Sequence, residues 1–388
     1  MSLRDRYAIA GVGTSRLGKV PGVSALGLIT EAMRNCVEES GIDKNEIDGV
    51  ICRGPDDVYG FHQRVAERLG INVNFSTTMD NGGASQILSV ALAAMAIDAG
   101  LCNVVLCGYG RDAWSRTHVS EEVRVAGRAA EVARYEFAGE ESGMFGAPAM
   151  HALGARRHMD RYGTTKEHFG AVSLAFREHA LRNPVAQMKK PLTMEDYLGA
   201  RPIVDPFNVL DCSLRSDAAG AMLVMSRERA AQLRLPPVLI SGFGTFNNTS
   251  GWFVDDHMLT TAAAPSAQKA YAMAGIGPGE VDTFQVYDCF TYMAIVQLED
   301  YGFCKKGEGG PLAASGALAI DGSIPTNTSG GQLSESHCEG VLQIVEAVRQ
   351  LRHDYDDKRQ VRGAEVAVVS GHGGNTVCHS SLVLRSAS

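Results

Sequence analysis

Between Asp80 and Gly110 the chain reads DNGGASQILSVALAAMAIDAGLCNVVLCGYG. The glycine turn Gly82-Gly83 opens an almost wholly apolar segment, which predicts a helix over about 84–99 and a strand over about 103–107 closing on Gly108. The free N–H groups and the dipole at the amino end of such a helix can hold a thiolate, an oxyanion or a carbonyl oxygen. Ser85 is the hydroxyl at that turn, and with no base beside it in the sequence it reads as a first-turn residue rather than a nucleophile. No cysteine occurs between Cys52 and Cys102. A helix without a polar face predicts burial on all sides, hence the centre of an α/β sandwich.

The segments around it are those of an α/β chain. Strands are predicted at 7–12, 49–52 and 74–78, and helices at 24–39 and 61–69, in the order β-α-β-α-β-α-β. From about 111 to 206 strand signals thin out, and Glu141 to Gly146 form a methionine and glycine cluster. Two helices, about 147–162 and 165–182, are predicted there in an insertion lying over the sheet domain, a lid or substrate wall. A strand over 216–225 and a helix over 226–233 follow.

The second half repeats the first. Gly275-Ile276-Gly277-Pro278-Gly279-Glu280-Val281-Asp282 matches Gly41-Ile42-Asp43-Lys44-Asn45-Glu46-Ile47-Asp48, each after an amphipathic helix and before an apolar strand. Ser329-Gly330-Gly331 precedes a helix (about 340–351) and a strand (365–370), as Asn81-Gly82-Gly83 precedes its own pair. Two copies of one βαβ-type unit are expected, 1–230 and 231–388.

Composition limits the function. The 388 residues are 45% hydrophobic and 21% charged with 43 glycines, the profile of a soluble α/β enzyme. A formal charge of −8 argues against a nucleic-acid surface. Nine cysteines without CxxC pairs read as reduced thiols, neither a disulfide framework nor a zinc site, so no metal is expected. The opening MSLRDRYAIAGVG has no apolar run and no stretch is long enough to cross a bilayer, which predicts a cytoplasmic protein without membrane insertion.

The duplicated unit, the glycine turn into a central apolar helix, YDCF at 287–290, NTSGG at 327–331 followed by His337, and GHGG at 371–374 together resemble the thiolase superfamily over essentially the whole chain. The resemblance is to its sterol-carrier-protein-type, thiolase-like lipid-transfer branch, with acetyl-CoA acetyltransferase-like relatives. It implies a five-layered αβαβα sandwich, with 111–206 as the loop domain, and a homodimer.

Thiolases seat a nucleophilic cysteine at the amino end of the central helix, where the dipole lowers its pKa. This chain has Gly83-Ala84-Ser85-Gln86 there. The resemblance places His337 at the family's GHP histidine, which holds a thioester oxygen and shifts protons, although the segment reads Ser-His-Cys. Tyr287 takes the place of a His or Asn that binds a thioester oxygen or water, and could donate to an enolate or act as acid/base if its pKa is lowered. The last glycine loop puts Ser370, Gly371 or His372 where the family's second cysteine acts, with His372 able to transfer protons. Cys378 reads as buried core. Cys289 and Cys338 are candidates for a displaced nucleophile, and Gly83, Ser85, Asn327, Gly330, Gly331, Gly373 and Gly374 for the oxyanion or thioester pocket.

Claisen chemistry needs an acyl carrier, whereas retro-aldol cleavage of a β-hydroxyacyl thioester needs only a base for the hydroxyl and an oxyanion site for the enolate. The expected activity is therefore cleavage or formation of a carbon–carbon bond beside the thioester of a bulky acyl-CoA, with coenzyme A entering as part of the substrate and no tightly bound cofactor. A thiolase or acyltransferase using Cys289 or Cys338, and a non-catalytic acyl-CoA or lipid-binding subunit, are the alternatives. A branch lacking the cysteine resembles steroid-side-chain aldolases, which work with an OB-fold and zinc-ribbon companion. In that branch a tyrosine stands where this chain has His337.

Overall fold

The computed structural model describes residues 3–55, 58–118, 146–248, 258–374 and 376–387. Eleven strands are formed among them: β1 Tyr7–Thr14, β2 Gly49–Arg53, β3 Phe75–Thr78, β4 Val104–Asp112, β5 Pro202–Val204, β6 Phe207–Asn208, β7 Asp217–Ser226, β8 Val238–Asn247, β9 Thr283–Gln285, β10 Val366–Gly373 and β11 Cys378–Ser386. All but the β5-β6 pair belong to one sheet in the order β3-β2-β4-β7-β1-β8-β11-β10-β9.

The sheet repeats itself about the β1-β8 contact. β1 runs antiparallel to β7 and β7 to β4, while β4 is parallel to β2 and β2 to β3. From β8 outward the same sequence recurs, antiparallel to β11 and on to β10, then parallel to β9. A parallel bridge from Phe284 to Thr326 stands where β3 stands in the first half.

The repeated octapeptide explains this at the level of single bonds. Gly41 and Gly275 both end a helix in the left-handed region, at φ 71° and 66°. Glycine enters that region at no steric cost. The Asp48 carboxylate accepts from the Asn103 and Val104 amides, and the Asp282 carboxylate from Glu365 and Val366. Each aspartate ties the entrance of a parallel strand to its neighbour. The inner strands of the two halves also carry matching glycines. A Cβ on Gly11 or Gly13 would strike the helix Ala25–Ser40, and one on Gly242 or Gly244 the helix Ala263–Ala274.

The apolar helix forms over Ser85–Asp98, and Val341–Arg352 is its counterpart. Both touch strands of both halves, whereas Ala25–Ser40 and Ala263–Ala274 each cover the outer face of one half. Outer helix, first half of the sheet, central helix pair, second half of the sheet and outer helix make five layers, the duplicated thiolase fold. The central helix is not enclosed all round: Met95 is 39% exposed, and Leu101 just beyond it 52%. β4 continues past Gly108 to Asp112, because Gly108 and Gly110 let β7 and the Ala25–Ser40 helix approach closely.

Between β4 and β7 the chain leaves the sheet and forms helices Gly146–Tyr162 and Lys166–Arg182, the latter capped by Thr165. The helix predicted over 226–233 is only Arg227–Ala230. Of the methionine and glycine cluster, residues 141–145 lie outside the described residues. No helix among the described residues is long and apolar enough to cross a membrane.

Candidate active site

Two glycine-rich segments, 82–83 and 371–374, meet at the amino end of the central helix. A Cβ on Gly82 would sit 2.9 Å from the Gly373 Cα, and one on Gly371 3.0 Å from the Gly83 carbonyl oxygen and 3.1 Å from the Ala84 Cα. Only residues without side chains let β10 approach the turn so closely. Ser85 Oγ accepts from the Asn81 amide at 2.6 Å and is buried, so it closes the turn.

The place where a side chain on Gly83 would go is filled by Tyr287. A Cβ there would lie 2.5 Å from the phenol oxygen and inside the contact distance of the ring. The Tyr287 backbone is gripped on both sides: Ser370 Oγ accepts from its amide at 2.7 Å, and Gln297 Nε2 donates to its carbonyl at 3.0 Å. Ser370 in turn donates to Gln297 Oε1 at 2.7 Å. Ser370 thus positions Tyr287. Burial raises the Tyr287 pKa above that of an ordinary phenol, with the neighbouring Cys289 adding to the shift and the Arg111 and Arg53 charges opposing it. The raised pKa keeps the phenol protonated and free to donate to a bound substrate, unlike the low-pKa acid/base expected from sequence.

His337 is held by its surroundings in one tautomer. Arg111 Nη1 lies 3.3 Å from its Nε2, and a guanidinium only donates, so Nε2 accepts and the proton sits on Nδ1. Nδ1 then donates to Ser213 Oγ at 3.0 Å. Burial and the adjacent Arg111 hold the imidazole neutral, well below its usual pKa. The Ser213–Ser216 segment joins the site's parts: the Ser213 amide donates to the Cys289 carbonyl, Leu214 N to Gln332 O, and the His337 amide to Ser216 Oγ. Arg111 also approaches Glu339 Oε1 at 3.4 Å, and Arg53 pairs with Oε2 of the same carboxylate. The Arg53 guanidinium lies 5.2 Å from the Tyr109 ring centroid.

On the other side of Tyr287, its ring is 5.6 Å from that of His372. His372 Nε2 lies 3.3 Å from His151 Nε2, and the Cys289 thiol completes a cluster with ligand atoms within 4.8 Å of one another. Burial pushes the Cys289 thiol well above its ordinary pKa. Cys378, partly exposed rather than core, lies 3.6 Å from Asn81 Nδ2.

The remaining candidates stand behind the site. Asp288 is fully buried and accepts from the Gln332 and Leu333 amides at 2.9 and 3.1 Å, and burial raises its pKa to about 7. Gly331 packs against that carboxylate. Asn327, at φ 49°, donates to the Val286 carbonyl, and Gly330, at φ 109°, packs against Ala180. These three shape the loop leading to His337. Cys338 is 1% exposed in the core, its thiol 3.3 Å from the Ala218 carbonyl, and burial lifts its pKa to about 12. Gly374 turns at φ 57° after β10.

Sequence reasoning passed over Arg53, Arg111, Ser213, Glu339 and His151. Two of them carried a signal, because Arg53 and Arg111 end apolar strands at the carboxyl edge, where α/β sheets place ligand-binding residues.

The Thiolase C-terminal domain-like family matches residues 244–386. A steroid side-chain-cleaving aldolase of Thermomonospora curvata is 35% identical over 359 residues, which cover 89% of this chain and 90% of that protein. A 17-hydroxy-3-oxo-4-pregnene-20-carboxyl-CoA lyase of Mycobacterium tuberculosis is 32% identical over 98% of this chain and all of that protein. An acetyl-CoA acetyltransferase of Methanothermobacter thermautotrophicus is 31% identical over 97% of this chain and 99% of its own. Among solved structures, an Ltp2-ChsH2(DUF35) aldolase superposes with a TM-score of 0.88 at 31% identity, covering 100% of this chain and 99% of that one. The chain belongs to the thiolase superfamily, as an enzyme of its thiolase-like, sterol-carrier-protein-related branch.

Proposed function

We propose that the protein cleaves a β-hydroxyacyl-CoA by a retro-aldol step, without an acyl-enzyme. The observation that carries this is the Tyr287 ring lying where a side chain on Gly83 would be. The helix end that seats a thiol in a thiolase presents a phenol here. In this reading Tyr287 Oη and the Arg111 guanidinium donate to the thioester oxygen, and His337 Nε2 takes the β-hydroxyl proton once substrate draws Arg111 away. The electron pair of the Cα–Cβ bond moves into the thioester, giving an enolate on those donors, while the β-carbon leaves as a ketone or aldehyde. The enolate carbon is then protonated, by His337 or water, to the shortened acyl-CoA. The names of the aldolase and lyase relatives support the same chemistry on a bulky, steroid-like acyl group.

The reading includes a homodimer, supported by the exposed Met95 and Leu101 at the carboxyl end of the central helix, and a companion protein, supported by the two-protein name of the Ltp2-ChsH2(DUF35) aldolase. The companion is of the OB-fold and zinc-ribbon kind. Nine free thiols suit a reducing cytoplasm. The domain boundary is placed near residue 230, between β7 and β8.

The test supplies a β-hydroxyacyl-CoA with a bulky β-substituent to the protein with its companion. The expected products are a carbonyl compound and a shorter acyl-CoA in equal amounts, with no free CoA consumed and no acylated cysteine by mass spectrometry. A requirement for free CoA, or an acyl adduct under turnover, overturns the proposal.

A further inference from the structure

The tautomers of the paired histidines pose a problem that hydrogen bonds among the described residues do not solve. His151 Nδ1 lies 2.8 Å from the Ala147 carbonyl oxygen, which can only accept, so the proton is on Nδ1 and Nε2 carries a lone pair. The Thr376 amide donates to His372 Nε2 at 3.3 Å, so that nitrogen is an acceptor as well. The two Nε2 atoms nevertheless face each other at 3.3 Å, and the buried His372 Nδ1 has no partner among the described residues. If His372 instead places its proton on Nε2 and donates to His151, the Thr376 amide loses its acceptor. A cation between the two Nε2 atoms would take both lone pairs, the Thr376 amide giving up its 3.3 Å contact, and so joins two acceptors that otherwise only repel.

A third donor is present. The Cys289 thiol belongs to the same cluster, its sulfur within 4.8 Å of a ring nitrogen of each histidine. The three ligands come from separate elements, His151 from the Gly146–Tyr162 helix, Cys289 from the loop after β9 and His372 from β10, and all three residues are buried. Rings wall the cluster: Phe290 is 4.6 Å from His151, and Tyr287 5.6 Å from His372. Two nitrogens each about 2.0–2.1 Å from a tetrahedral zinc ion stand about 3.3 Å apart. The observed separation matches that value.

We infer that His151, Cys289 and His372 form a binding site for a borderline-soft divalent cation, zinc above all. Neutral imidazole and thiolate are donors that select such an ion over magnesium or calcium. On binding, the Cys289 S–H bond breaks, a sulfur–metal bond forms and the proton goes to solvent. Two neutral histidines and one thiolate leave a net charge of +1 on the site. Three protein ligands keep the fourth tetrahedral position open to a water or a substrate oxygen beside the Tyr287 ring, the arrangement of catalytic rather than structural zinc sites. The spacing of these residues along the chain hides the site from motif reading.

The experiment reads binding alone, so its outcome is independent of the carbon–carbon cleavage proposed above. Purified protein is stripped with a chelator and titrated with Co2+. The expected result is about one equivalent bound per chain, with the visible absorption of tetrahedral cobalt and a near-ultraviolet thiolate-to-cobalt band, both displaced by Zn2+. Cys289→Ser should lose the thiolate band, and His151→Gln should weaken Co2+ binding by at least tenfold, with folding of each followed by circular dichroism. Less than about a tenth of an equivalent bound by the unaltered protein overturns the inference, as does a thiolate band that persists in Cys289→Ser.

Discussion

The Tyr287 phenol oxygen lies 2.5 Å from the point a Cβ on Gly83 would occupy, so the two positions cannot both carry these side chains undisturbed. Gly83→Cys should therefore displace the tyrosine rather than restore a thiolase. Overpacking of this kind costs about 1–3 kcal/mol, visible as a lowered midpoint in denaturant. Cleavage should fall with it, and an unchanged midpoint with full activity would contradict the packing described.

Tyr287→Phe removes only the hydroxyl, which has no hydrogen-bond partner among the described residues. No buried partner is orphaned, so stability should stay within about 0.5 kcal/mol. Turnover should fall by about 10²–10³-fold with KM little changed, as for loss of one oxyanion donor. Steady-state kinetics decide, and unaltered kcat would remove Tyr287 from the mechanism.

His337→Ala should lower kcat by about 10²–10⁴-fold, the range of a lost general base. Ser213→Ala acts through the histidine by freeing Nδ1 from its acceptor, and should cost about tenfold while shifting the acidic limb of the pH profile. A drop in kcat without that shift would point to general damage instead.

Cys338 packs its thiol against the Ala218 carbonyl in the core. Cys338→Ala should cost about 1 kcal/mol of stability through the small cavity it leaves, while kcat remains within about twofold. Loss of turnover in a folded variant, or an acyl group found on this thiol, would favour the acyltransferase alternative.

Glu335 gives a pH test. It is buried, accepts from Asn183 Nδ2 at 2.9 Å and Ser329 Oγ at 2.7 Å, and burial, with the nearby Glu346 adding to it, raises its pKa to about 7. A carboxyl whose folded pKa exceeds its unfolded value binds its proton more tightly when folded. That contribution is fully present below about pH 4.5 and is lost as pH rises through about 7. Glu335→Gln has no proton to lose, so its stability relative to the unaltered protein should improve by roughly 2 kcal/mol from pH 5 to pH 8. Denaturant titrations at both values check the sign.

The sequence by itself determined what is local or repeated. The alternation of strands and helices, the almost wholly apolar helix of 85–98, and the capping glycines with their following aspartates were legible because periodicity and turn chemistry act between near neighbours. The duplication could be read because Asp48 and Asp282 perform the same backbone task in each copy. The missing cysteine at Gly83 was visible as an absence. What fills the space at Gly83 was not, because Gly83 and Tyr287 meet only when the two halves close on the central helices. The same holds for Arg111 beside His337, and for His151, Cys289 and His372 around one point. Their spacing carries no period, and only the packing of the insertion onto the carboxyl edges of the strands brings them together. Protonation was decided at that level too: the sequence offered Tyr287 as acid or base, and burial in the finished core left it a donor.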